Sequence, residues 1–123
     1  MRIVLLVGAG GFIGSALRYL ASQFIQNRFL STFPYGTLFV NIVGCLIIGV
    51  IFAFSEKGLM NSDWRMFLAT GICGGFTTFS TFSNETLGLF RDGQTLYGLG
   101  YITASVLLGL FATFIGIALV KLF

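Results

Sequence analysis

Phe79 and Phe82 stand three residues apart in the run Gly-Gly-Phe-Thr-Thr-Phe-Ser-Thr-Phe-Ser, from Gly74 to Ser83. That spacing puts both rings on one helix face. An aromatic ring has a negative face and a positive edge, so two ring edges side by side attract a small anion without gripping it. Ser80 and Thr81 add hydroxyl donors beside them. Gly74 and Gly75 permit the helix to break at this point. The carbonyls freed by a break need a partner, and a cation such as sodium satisfies them.

Further polar residues interrupt otherwise apolar sequence. Thr37 and Asn41 are four apart and share a helix face that Gly44 continues. The Asn41 amide donates two hydrogen bonds, which suits an anion shedding water, or it ties helices together. Gly11, Ser15, Arg18 and Ser22 form a small, polar face. An arginine at the centre of a membrane helix costs about 2.5–3.5 kcal/mol. Arg18 therefore either snorkels to an interface as an anchor or borders a vestibule that attracts an anion. Glu85, farther along the same stretch as the phenylalanines, is either a functional acid or the neutralising partner of Arg18. Tyr101 and Ser105, with Gly109 in register, make a short polar stripe, while Thr103 and Thr113 bond back to carbonyls of their own helix.

These residues need elements to hold them, and the composition says which. The chain of 123 residues is 56% hydrophobic and only 9% charged, where soluble domains carry about 25% charged residues. With a mean hydropathy of +0.96 it is an integral membrane protein of one domain. Four apolar segments each approach the roughly 20 residues of a spanning helix: about 3–25, 36–54, 64–90 and 95–123. Pro34 opens the second helix and Glu56-Lys57-Gly58 closes it. Asn61-Ser62-Asp63 caps the third and Arg91-Asp92-Gly93 ends it. The third segment carries the glycines and hydroxyls in its middle, so the fold expected is an all-α bundle of four membrane helices with the third broken near the midplane. The first segment lacks a strong positive cluster and a clear cleavage site, and reads as a retained helix.

The basic residues divide nearly evenly. Arg2, Lys57, Arg65 and Lys121 fall on one side, and Arg28 and Arg91 on the other, with Arg18 near them. Strong asymmetry normally fixes orientation; this weak bias leaves open one fixed orientation or insertion both ways, with pairing into an antiparallel dimer. Gly10 with Gly14, Gly71 with Gly75 and Ala112 with Gly116 have the spacing that lets helix backbones approach closely, within a subunit or between two.

Several functions are excluded. No histidine is present and the acids are only Glu56, Asp63, Glu85 and Asp92, so an enzyme active site is hard to build. Seven basic residues are scattered and give no nucleic-acid signal. Cys45 and Cys73 lie in apolar segments as small core residues. Gly8, Gly11 and Gly14 imitate a nucleotide-binding turn, but the first acid is Glu56, far from where a ribose would need one.

Over essentially its whole length the chain resembles the small fluoride channels, the Fluc or CrcB family. The resemblance rests on Gly10-Gly11 with Arg18, on Gly36-Thr37-Leu38 with Val40-Asn41 and Gly44, and above all on Gly74 to Ser83 followed by Glu85. It implies a dual-topology homodimer with two antiparallel pores in the cell's inner membrane, passing fluoride passively outward and conferring fluoride resistance. It implies that Phe79 and Phe82 line the pore and that Asn41 hydrogen-bonds the ion. Ser80, Thr81, Tyr101 and Ser105 would form a polar track beside them. Arg18 would sit at the vestibule and Glu85 toward the other end of the third helix. The carbonyls of Gly74 and Thr77 from each subunit would hold a structural sodium on the two-fold axis. Phe76 stands where the family has leucine, which should alter only packing, and Gly109 stands where some members have serine, which removes a hydroxyl from the track.

The sequence thus reads as a channel for fluoride. The alternative is a small dual-topology exporter of cationic drugs, which would need an acid in its first helix; that helix holds Arg18 and no acid. A non-transporting assembly subunit would explain the glycines but not Phe79, Phe82 and Asn41 together.

Overall fold

The computed structural model describes all 123 residues. Three unbroken helices are long and apolar enough to cross a membrane: α1 (Arg2–Arg28), α2 (Tyr35–Glu56) and α6 (Thr95–Lys121). The fourth crossing, between α2 and α6 in the chain, is assembled from pieces. Asn61 caps a short α3 (Ser62–Arg65), its Oδ1 accepting from the Trp64 N–H at 2.9 Å. A π-helical stretch follows over Met66–Cys73, in which each carbonyl serves the N–H five residues on, as Ala69 does for Gly74. One more turn, α4 (Gly74–Phe76), leads to an extended Thr77-Thr78, and then α5 (Phe79–Arg91) resumes.

The turns follow from local chemistry. Gly58 and Gly93 have φ of +75° and +80°, a conformation glycine adopts without a Cβ clash. At the end of α2 the Leu59 N–H reaches back to the Phe54 carbonyl and Gly58 to Ser55. At the end of α5 Gln94 does the same to Leu89, and Gly93 to Phe90. Each glycine thereby closes carbonyls that the helix end leaves open. Pro34 stands just before α2 as its cap residue rather than inside its first turn.

Lipid takes the place of a soluble core. Large apolar side chains such as Phe12 and Leu110 point outward, while the interior is built largely from small residues. Gly10 and Gly14 of α1 face Gly71 and Ile72, and a Cβ at Gly14 would run into the Ile72 carbonyl. Gly75 lies on the Gly11 carbonyl of α1. On the other side of α2, Gly49 sits on the Thr113 carbonyl and Gly116 on the Leu46 carbonyl. The close-packing glycines therefore serve contacts within one subunit, so α1 holds the first half of the broken helix and α6 holds α2.

One expectation is corrected here. The break does not fall at Gly74-Gly75, which stay helical, but at Thr77-Thr78. Gly75 is occupied in packing on α1, whereas two β-branched threonines adopt extended backbone readily.

The glycine contacts give a contrast that can be measured. Gly14→Ala should lower the thermal midpoint of the purified protein, with a destabilisation of roughly 1–3 kcal/mol from overpacking. Gly8→Ala, at a position with no neighbour within 4 Å, should leave the midpoint unchanged or raise it slightly. Equal effects from the two would contradict the packing described.

Candidate functional site: a cleft at the helix break

At the break, Thr77 and Thr78 leave the helical ladder and their neighbours replace it. The Thr77 N–H and hydroxyl both donate to the Cys73 carbonyl at 3.0 Å, finishing α4. The Thr78 N–H, which would serve Gly74 in a continuous helix, donates instead to Asn41 Oδ1 at 2.8 Å. Asn41 Nδ2 donates in return to the Thr78 carbonyl at 3.1 Å. One side-chain amide from α2 thus imitates the neighbouring strand that an extended residue lacks. The Thr78 hydroxyl caps α5 by accepting from the Thr81 N–H at 3.2 Å, and donates to Thr81 Oγ1 at 3.0 Å. The Gly74 and Thr77 carbonyls are both left without the N–H that a continuous helix would supply, since those of Thr78 and Thr81 go elsewhere.

A cleft of about 370 Å³ opens beside this break. Asn41, Gly74, Thr77, Phe79, Phe82 and Ser105 are among its lining residues, and none of the lining residues is charged. The Phe79 and Phe82 rings stand 5.6 Å apart, tilted by 46°. Phe79 is 78% exposed. The Ser105 hydroxyl is buried and has no hydrogen-bond partner. A buried polar atom left unpaired is costly, and Ser105 is one of the residues that line the cleft. The cleft lining therefore brings together two aromatic rings, a serine and an asparagine, and carries no charged side chain.

Behind the cleft a second polar chain links three helices. Thr37 Oγ1 donates to Glu85 Oε2 at 3.1 Å, and Tyr101 OH donates to Glu85 Oε1 at 2.9 Å. Tyr101 is fully buried and packs edge-on against Phe82, with centroids 5.0 Å apart. Arg18 is half-buried in a crevice of about 210 Å³, with Ser22, Thr37, Thr78 and Thr81. Thr78 lines both this crevice and the main cleft.

The structure thus gathers Asn41, Gly74, Thr77, Phe79, Phe82 and Ser105 at one place, and Arg18 and Thr81 across the Thr78 backbone from it. Ser80 is exposed beside them, its hydroxyl 3.4 Å from Thr78 Oγ1. Two expectations change. Glu85 does not pair with Arg18; its oxygens are taken by hydroxyls, and the only ion pair in the chain joins Arg2 to Asp63 at 3.4 Å. Tyr101 directs its hydroxyl to Glu85 rather than into the cleft. Gly109 packs toward the Cys45 thiol, so the polar stripe on α6 ends at Ser105. Sequence reasoning missed Thr37 as a partner of Glu85 and Thr78 as the centre of the break. A threonine three residues before Thr81 at a helix start was the signal for the cap; nothing local signals the pairing of Thr37 with a residue 48 positions away.

A family model described as "CrcB-like protein, Camphor Resistance (CrcB)" matches residues 5–117. The chain belongs to the CrcB family. Among curated relatives, it is 48% identical over 122 residues to a protein of Rhizobium meliloti, covering 98% of each chain. It is 49% identical over 117 residues to one of Aquifex aeolicus, covering 94% of each, and 45% identical over 122 residues to one of Flavobacterium psychrophilum, covering 98% of each. All three relatives are named "Fluoride-specific ion channel FluC". With its apolar helices, this CrcB chain is a multi-pass membrane protein and not an enzyme.

The double hydrogen bond between Asn41 and Thr78 should be visible in solution. Asn41→Leu removes both bonds and strands two backbone groups, and should destabilise the protein by roughly 2–4 kcal/mol. Amide exchange at Thr78 should accelerate in that variant well before exchange in α2 or α6 does. An unchanged Thr78 exchange rate would show that Asn41 does not hold the break.

Proposed function

We propose that this CrcB chain is a fluoride-selective channel that lets fluoride leave the cell passively, across the inner membrane, and so confers resistance to it. The observation that carries the proposal is the content of the cleft: two phenylalanines and an unpartnered buried hydroxyl beside a break in a membrane helix, with no acidic or basic side chain in the lining. Fluoride holds its water tightly, and a pore that passes it must offer donors in exchange. Ring edges and neutral donors do this weakly, so the ion leaves as readily as it enters. A lysine or arginine in the lining would hold it. The names of the relatives point the same way.

The same surface supports an antiparallel homodimer as the working form. Gly74, Ser80 and Thr81 are exposed in the middle of a crossing, beside the largely exposed Phe79. Backbone and hydroxyls at that depth are stable only against protein or water. A second copy of opposite orientation would cover them, and the near balance of basic residues at the two ends allows that orientation. The Gly74 and Thr77 carbonyls, having lost their helical donors, suit a hard cation bound by oxygen. With both subunits contributing, they would hold a structural sodium ion. When bound, the ion supplies the positive charge that closes off those carbonyls at the subunit junction.

Purified protein in liposomes loaded with potassium fluoride, with a potassium ionophore added so that potassium leaves with the fluoride, and read with a fluoride electrode, tests the proposal. Wild-type protein should release the load far faster than empty liposomes. Phe82→Ile should slow release by about tenfold or more, equivalent to about 1.4 kcal/mol in the barrier, with the thermal midpoint kept. Ser105→Ala should slow it less. Wild-type release no faster than that of empty liposomes would end the reading, and proton-driven uptake of a lipophilic cation would point to an exporter instead.

A further inference from the structure

An apolar groove of about 610 Å³ runs along the outside of the subunit. Leu20, Ala21 and Phe24 of α1 form one wall, and Ile47 of α2 with Ile72 and Phe76 forms the other. On α1, Ala21, Phe24 and Arg28 follow three-to-four spacing, so the groove points along one helix face to Arg28 at its end. The Arg28 guanidinium lies over the Phe24 ring, 4.5 Å from its centroid. It makes no ion pair; the one ion pair of the chain is at the opposite end of α1. The backbone that presents Arg28 is fixed. Gln26 Nε2 donates to the carbonyls of Ser31 and Phe33 at 3.1 Å, and its Oε1 accepts from the Gly36 N–H at 3.0 Å.

Apolarity alone does not make this a site, because lipid tails are as apolar as leucine and any face of the bundle meets them. The charge at the end of the groove does. A basic residue at the membrane boundary attracts anionic headgroups, and a guanidinium matches phosphate with paired donors. Stacking on Phe24 orients the guanidinium plane while leaving its edge donors free.

We propose that the groove seats one acyl chain of an anionic phospholipid whose phosphate is held by Arg28. The groove opens on the outer face, shares only Cys73 with the lining of the cleft, and does not depend on which ion the protein carries. Native mass spectrometry of the full chain from micelles containing equal amounts of phosphatidylglycerol and phosphatidylcholine tests it. Wild type should retain phosphatidylglycerol about fivefold over phosphatidylcholine. Arg28→Gln should bring that ratio close to one, with fluoride release and thermal midpoint unchanged. Ala21→Leu should reduce retention of both lipids by filling the groove. A benzophenone side chain introduced at Leu20 should, on illumination, couple to lipid. Equal retention by wild type, an unaltered preference in Arg28→Gln, or unaltered retention in Ala21→Leu would each overturn the proposal. So would a Leu20 photoproduct containing a second copy of the chain, which would make the groove a subunit interface.

Discussion

A polypeptide that leaves the helix inside hydrocarbon must find partners for every group it uncovers, because the solvent there supplies none. That constraint organises this CrcB chain. Thr77 and Thr78 are extended in the middle of the third crossing, and a set of interior polar groups gathers to serve them. Asn41 supplies a donor and an acceptor to Thr78. Thr78 turns its own side chain to cap the helix that follows. The Gly74 and Thr77 carbonyls are among those that lose their helical donors without a side chain to replace them, and the cleft forms beside them.

A break of this kind also removes the stiffness of a continuous helix, so each half must be held separately. The first half leans on α1 through facing glycines, Gly10 and Gly14 against Gly71 and Ile72. Backbone contact of that closeness is what membrane helices use in place of a hydrophobic driving force. The π-helical turn over Met66–Cys73 belongs to this arrangement: it widens the helix where the small residues meet α1. The second half is held by polar contacts instead. Glu85 on α5 accepts from Thr37 on α2 and from Tyr101 on α6. Tyr101 is in turn wedged between Phe33 and Phe82. The two halves are thus anchored to different partners by different forces, which fixes the position of the gap between them.

Much of this was legible in the residues. The four crossings follow from apolar length, the caps at Asn61 and Gly58 from their types, and the site from a cluster of glycine, hydroxyl and phenylalanine where a membrane helix should be aliphatic. The misplaced details share one cause. Glycine was read as the residue that breaks the helix, yet in lipid its missing side chain is worth more as a contact surface, and Gly75 is spent on α1. The break then falls to Thr77 and Thr78, whose need for Asn41 is a long-range fact. One of the two readings of Glu85 set it against the formal charge of Arg18. Two hydroxyls reached it instead, because the fold places Thr37 and Tyr101 beside it and puts Arg18 in a separate crevice. Which side chains face one another across helices depends on rotation and depth, which spacing within a single segment does not encode.

The placement of charge carries the remaining logic. The side chains at membrane depth that carry a formal charge at neutral pH when ionised, Arg18 and Glu85, stay out of the cleft lining. A formal charge in the lining would dominate every other interaction at low dielectric, and would either expel an anion or trap it. A neutral lining leaves the outcome to geometry: the angle of two rings, the reach of one amide, and one hydroxyl that the protein leaves unsatisfied. In the channel proposed above, small differences in ion radius and hydration would then decide passage, because no single contact is strong enough to override them. Asn41 is the residue where both demands meet. The amide that completes the broken backbone also lines the cleft, so the geometry of the cleft is tied directly to the bond that makes the break tolerable in a membrane.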